Sequence, residues 1–183
     1  MATTPKRITL GSGKLYLIPF VDEVPEVEEI CIETNLLGYI KGGATLEYAP
    51  TFYEAKDDLG YVVKTIITEE TATLKSGVLT FNGNTLKTLC DTGRVEEDKE
   101  NKLRTLKIGG IANATGAKYI ICFHHSDPVD GDIWVVIVGK NEAGFSLAFA
   151  KDAETVIDAE FKCLAQDDEG TLIKYIEEDN SIV

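Results

Sequence analysis

The chain has 183 residues, with 18 Lys and Arg against 31 Asp and Glu and hence a net charge of −13. That length suits one domain spanning 1–183 with a hydrophobic core of its own, and the acid excess excludes a surface built to grip nucleic-acid phosphates. The opening MATTPKRITLGSGK lacks the apolar centre of a signal peptide and no long uncharged apolar run comes after it, so a soluble, intracellular protein with no membrane partner is expected.

In chain order, residues 1–13 read as an N-terminal arm whose first residues, Met1–Thr4, are small, polar and loose until bound. Leu15, Leu17 and Pro19 then alternate with Tyr16, Ile18 and Phe20, a first strand buried on both faces. VDEVPEVEE, with valine–acid clusters around Pro25, reads as a solvated edge or loop rather than a helix. Cys31–Leu37 suggests a short strand, and Gly38, Gly42 and Gly43 break the next stretch into turns.

Gly43–Tyr48 restarts a strand, after which residues 50–60 read as a loop that leaves the sheet. Within it Phe52 and Tyr53 stand among Thr51, Glu54, Asp57 and Asp58, too polar for a core and too aromatic for an idle linker, which marks a contact arm. From Tyr61 to Phe81 apolar and polar residues alternate over a length far beyond the ~5–6 residues of an ordinary strand. Glu69, Thr71, Thr73 and Lys75 share one face of it, Glu70, Ala72 and Leu74 the other. An exposed strand of that length is an aggregation hazard in a monomer, and a sheet extended beyond its own subunit is one way to cover the edge.

Asn82-Gly83 predicts a tight turn delivering the chain to Asn84 as the N-cap of one short helix, with Leu86, Leu89 and Cys90 on its apolar side and Gly93 as a left-handed terminator. Val95–Leu103 is a charged, solvated excursion. Beyond it Leu103–Ile108, Lys118–His125, Asp132–Gly139, Phe145–Ala150, Val156–Ala165 and Leu172–Ile176 form a meander of strands with turn chemistry at roughly ten-residue intervals, and residues 177–183 read as a C-terminal tail. In the strand from Val156, Ile157, Ala159, Phe161 and Cys163 face one way, Asp158, Glu160 and Lys162 the other. The fold expected is mainly β, an antiparallel β-sandwich or barrel with one short flanking helix and a long protruding loop.

The chemistry-bearing motifs fall short of a site. Gly11-Ser12-Gly13-Lys14 has Ile8 where a phosphate-binding loop needs glycine and Leu15 where it needs a hydroxyl. His124 and His125 are adjacent in a strand and point to opposite faces. Asp127, Asp130 and Asp132 sit in a hairpin turn without the later glutamate of a calcium loop. Cys31, Cys90, Cys122 and Cys163 form no C-x-x-C pair and read as buried free thiols. No catalytic residue, cofactor or metal is therefore assigned, and an enzyme is not expected.

LEYAPTFYEAKDD, the long acidic-and-threonine strand after it, and the closing run FSLAFAKDAETVIDAEFKCLAQDDEGTLIKYIEE together resemble the major tail tube proteins of long-tailed bacteriophages, over most of the chain from about Leu37 onward. The resemblance implies hexameric rings whose strands join into an inner barrel, stacked into a tube, with the 50–60 loop and the chain termini locking ring to ring. It makes Thr51, Phe52, Tyr53, Glu54, Asp57 and Asp58 ring-stacking residues, and Glu69, Thr71, Thr73, Asp158, Glu160 and Lys162 candidates for the lumen. It further implies the chain itself, a tape measure protein, a tail terminator and tail-tip or baseplate proteins as partners. DNA would pass through without specific binding, and the location would be the virion tail, assembled in the host bacterial cytoplasm. A ring of six would carry −78, repelling phosphate and letting a genome slide. The alternative is a β-sandwich binding module of a virion, for carbohydrate or a receptor; it calls for exposed aromatics on a concave face, and Trp134 within IWVVIV fits core packing better.

Overall fold

The structure, a computed structural model, describes residues 9–179 and residue 182. The expected looseness of Met1–Thr4, most of the 1–13 arm and part of the 177–183 tail fall outside the described residues. The architecture is mainly β with antiparallel pairing, as the sequence predicts, but among the described residues there are two short helices rather than one.

The first strand, β1 (Lys14–Pro19), is buried on both faces as expected, with Leu15 and Leu17 in one apolar cluster and Tyr16 and Ile18 in another. VDEVPEVEE departs from expectation: α1 (Val27–Ile30) is a single helical turn. Val27 and Ile30, three apart, both bury against the second cluster, while Glu28 and Glu29 face water at the positive end of the turn. Asn35 caps it from outside, its side-chain amide donating to the Glu29 and Ile30 carbonyls at 3.2 and 3.1 Å. That fold-back makes Glu33–Asn35 a 3-10 turn and leaves only Leu36–Gly38 as the short strand β2.

Gly42 and Gly43 do not end a strand. They form a bulge inside β3 (Ile40–Lys56) at φ of 84° and 76°, values that glycine alone reaches without strain. The expected loop at 50–60 is corrected in the same way. Residues 50–56 continue β3 and pair with β4 (Val62–Val78), so the segment protrudes as a hairpin whose turn is confined to 57–61. Pro50 gave the misleading signal: proline is tolerated at a sheet edge, and β3 is the outermost strand.

The second helix, α2 (Gly83–Thr88), is capped by Asn82 rather than Asn84; the Asn82 side chain accepts from Asn84 N and Thr85 N, and Thr85 Oγ1 accepts from Asn82 N. Gly93 is not left-handed. A Cβ there would stand 2.7 Å from Cys90 Sγ, so close approach is what requires glycine. The charged excursion is a two-stranded hairpin, β5 (Arg94–Asp98) with β6 (Leu103–Lys107), braced by Arg104–Glu97 and Lys107–Glu96 ion pairs. Then come β7 (Tyr119–His125), β8 (Ile133–Asn141), β9 (Ile157–Leu164) and β10 (Lys174–Glu177). Phe145–Ala150, expected as a strand, is irregular; Phe145 and Leu147 still pack on the core, and that packing is the apolar signal the sequence carried.

The main sheet runs β2-β1-β7-β8-β9-β4-β3, with β10 also on β8. β8 forks the sheet: Ile133–Val136 pairs with β10 and Val138–Asn141 with β9, on the side away from β7. The sheet thereby curls so that Leu15, Ile121, Val135 and Ile137 meet Ala72, Leu74, Ile157 and Phe161 in one core, closed by Leu89 after α2. The outer face of β1, β7 and β8 forms the second cluster, covered by α1.

Candidate functional site

Two surfaces, built on the β3–β4 pair and on β9 beside it, hold the residues singled out from the sequence. β9 pairs with β4 only from Thr73 to Val78. From Val62 to Ala72, eleven residues or about 35 Å at ~3.3 Å per residue, β4 has only β3 beside it among the described residues. The result is a bare two-stranded ribbon, an element marginally stable on its own in water.

Register fixes which side chains share a face. On the side continuing the core-facing Leu74 and Ala72, Leu46, Tyr48, Phe52 and Ile67 carry the apolar row outward. Tyr53 and Ile66 pair on the opposite side. Phe52, Tyr53, Tyr61 and Val63 are between 54% and 72% exposed, so both faces of the arm present apolar surface to water. The Tyr48 hydroxyl donates to the Glu70 carboxylate, which raises the phenol above its ordinary range.

The predicted arm residues separate by role. Thr51, Phe52 and Tyr53 lie exposed on the ribbon, and Glu54 forms a 3.5 Å ion pair with Lys56. Asp57 is spent on the turn, its Oδ1 accepting from Leu59 N at 3.0 Å and Tyr61 N at 2.8 Å, with Gly60 at φ 85° completing the reversal. Asp58 is exposed at the tip. Sequence reasoning misses the other half of the arm, because Tyr61, Val62, Val63, Ile66 and Ile67 merge into one long alternating run. That length is itself the signal, since a strand so long needs an equally long partner.

Of the candidate lumen residues, Thr73, Asp158, Glu160 and Lys162 are brought together on the polar face, where Thr73 pairs with Lys162, Lys75 with Glu160 and Gly77 with Asp158. Glu69 and Thr71 lie farther along the same face of β4, out on the ribbon, and Thr71 Oγ1 donates to Ala49 O at 3.2 Å. The face is a charge ladder. Lys75 Nζ reaches Glu47 at 2.9 Å and Glu160 at 3.9 Å, and Glu142 reaches Lys162 at 3.7 Å and Lys140 at 3.8 Å. Glu47 raises the Lys75 pKa, holding the ammonium charged. With Lys41 and its partner Glu154 at 2.7 Å, six carboxylates (Glu47, Glu69, Glu142, Glu154, Asp158, Glu160) against four lysines (Lys41, Lys75, Lys140, Lys162) leave −2 on this face, a small part of the chain's −13.

The histidines and the acidic turn resolve into structure. His124 stacks on Trp134 at 5.1 Å between centroids and bonds Asp132 at 2.7 Å, while His125 on the other face holds Ser12 O at 2.7 Å. Asp132 also accepts from Ser126 Oγ and Asp127 N, and His124 first among these partners pulls its carboxyl below the usual range. Among the described residues no group of three or more His, Cys, Asp or Glu is arranged to hold a metal ion. The four cysteines are free thiols, two fully buried and two half-buried. Compared with known proteins, the chain matches no family model, and no curated protein matches it either.

Proposed function

We propose that this chain is a structural subunit that closes into hexameric rings stacked as a bacteriophage tail tube, a conduit for genome delivery. The observation that carries the reading is the ribbon of β3 and β4, with apolar side chains on both faces and, among the described residues, no further strand beside β4 beyond Ala72. Covering an apolar side chain of this size stabilises by ~1.5–3 kcal/mol when burial is complete, and several such side chains on one arm make a contact site for other copies of the chain. The outer edge of β3, 17 residues long, offers backbone groups for continuing the sheet into a neighbour. The resemblance of the sequence to tail tube proteins supplies the geometry, with the arm joining ring to ring and the polar face of β4 and β9 toward the lumen.

In that arrangement the lumen face brings −2 per subunit, or −12 per ring, so DNA meets a weakly repelling, ion-paired wall. The carboxylates and lysines already neutralise one another across strands, which leaves no free cationic row for phosphate to adhere to. A tape measure protein, a terminator and tail-tip proteins are the partners such a tube requires, and the virion tail is its place. Negative-stain microscopy of the purified protein over a concentration series tests the reading: six-fold rings or rods are expected. Folded monomers at every concentration, or particles of another symmetry, refute it.

A further inference from the structure

Between α1 and the sheet lies a second kind of chemistry. Cys31, the residue that ends α1, places its sulfur 3.5 Å from that of Cys122 on β7, across a sequence separation of 91. The two belong to the same apolar cluster, but they differ in access. Cys122 is fully buried between its strand neighbours Tyr16 and Val136, whereas Cys31 is half-buried and reachable from solvent.

We infer that Cys31 and Cys122 are a thiol oxidation site, which a hydroperoxide-class oxidant converts into an intrachain disulfide tying α1 to β7. The sulfurs, 3.5 Å apart, are already in van der Waals contact, so bond formation needs a shift of roughly 1.5 Å to reach ~2.05 Å, and Cys31 sits at the end of a one-turn helix rather than within a strand ladder. The roles are unequal. The hydrogen bond with Cys122 lowers the Cys31 pKa, against burial and the nearby Glu28, and the same contact raises that of Cys122. The partly exposed sulfur is therefore the nucleophile and the buried one the resolving thiol.

In the first step, written for hydrogen peroxide, the Cys31 thiolate attacks a peroxide oxygen; an S–O bond forms, the O–O bond breaks, and hydroxide leaves to take the proton that Cys31 gave up. In the second, the Cys122 sulfur attacks the Cys31 sulfenic acid; the S–S bond forms, the S–O bond breaks, and the departing hydroxide takes the Cys122 proton as water. Two electrons pass from the sulfur pair to the peroxide, which ends as two waters. The other thiols differ. Cys90 donates to Leu86 O at 3.1 Å and is pushed up by burial, and burial alone pushes Cys163 up to about 11.

The inference rests on the fold and not on the tube, and the purified chain tests it. After exposure to hydrogen peroxide the protein is unfolded, its thiols are counted, and its peptides are mapped by mass spectrometry without reduction. The expected result is a fall from four thiols to two, one Cys31–Cys122 bridged peptide pair, and a melting temperature raised by about 5–10 °C, all reversed by dithiothreitol. Cys31→Ser, a change at a half-buried site, should keep its three thiols and show no rise. A bridge through Cys90 or Cys163, a bridge between chains, Cys31 sulfinic acid beside an intact Cys122 thiol, or four surviving thiols would each overturn the inference.

Discussion

Removing the outer apolar pair of the arm, Phe52→Ala with Ile67→Ala, should weaken assembly while leaving the subunit folded. These side chains face each other across the ribbon on its core-side face and are 54% and 52% exposed. About half of each thus remains to be covered by a neighbour, and with ~1.5–3 kcal/mol for full burial of one side chain the pair contributes ~1.5–3 kcal/mol per subunit to an interface. At ~1.4 kcal/mol per tenfold, the concentration at which tubes appear should rise about 10- to 100-fold. The fold should change little, since substitutions at exposed sites fall within ~0.5 kcal/mol. Pelleting across a concentration series reads the threshold, and a circular-dichroism melt reads the fold. A double variant that melts like the parent and polymerises at the parent's threshold would refute the assignment of this face to an interface.

Replacing Glu69, Asp158 and Glu160 by lysine changes each site by +2, taking the polar face from −2 to +4 per subunit. Tubes should still form and DNA should be retained in them, and normal ejection would show that this face does not line the channel. Asp91 accepts from Thr115 Oγ1, Thr115 N and Gly116 N at 2.9, 3.1 and 2.8 Å, bonds that hold its carboxyl below the usual range. Its contribution is complete above the unfolded value of ~3.9 and is lost as pH falls through the lower folded value; melting curves for Asp91→Asn should therefore lie below the parent at pH 6 and converge toward it below about pH 4. Gly139→Ala would set a Cβ 2.2 Å from the Lys162 carbonyl oxygen, a backbone atom that cannot swing aside, and should cost about 3 kcal/mol in denaturant unfolding.

The parts of the fold legible in the sequence were those governed by period-two alternation. β1, β9 and the β4 segment from Glu69 read correctly because each side chain's polarity matched its face. Local signals failed where tertiary contact outweighed them. Two buried residues, Val27 and Ile30, wound a helical turn in a segment rich in acids and next to a proline. A glycine pair and Pro50 read as breaks but are tolerated in an outer strand, where a bulge or a missing N–H leaves no neighbour unpaired. Phe145 and Leu147 carried alternation without a ladder, since core packing alone does not require strand pairing. At the candidate site, residue identities on β4 and β9 were readable one strand at a time. The ladder joining Glu47, Lys75, Glu160, Lys162 and Glu142 was not, because it exists only in the cross-strand register.

One residue divides the long strand into its two surfaces. Thr51 pairs with Glu69 and Phe52 with Ile67, so Thr68 is left unpaired as a bulge, its hydroxyl donating to Thr51 O at 3.2 Å. Without the extra residue Ile67 would continue the row of Glu69, Thr71, Thr73 and Lys75, placing an isoleucine on the polar face. With it, Ile67 turns to the core side and meets Phe52, while Ile66 meets Tyr53 on the other. A bulge also strengthens local twist, so the ribbon changes both its chemistry and its course where β9 has already ceased to support it. The strand thus carries a polar face up to Glu69, ion-paired at Lys75, and an apolar arm from Ile67 outward, and the adjacent isoleucines, which break simple alternation in the sequence, are what make both possible.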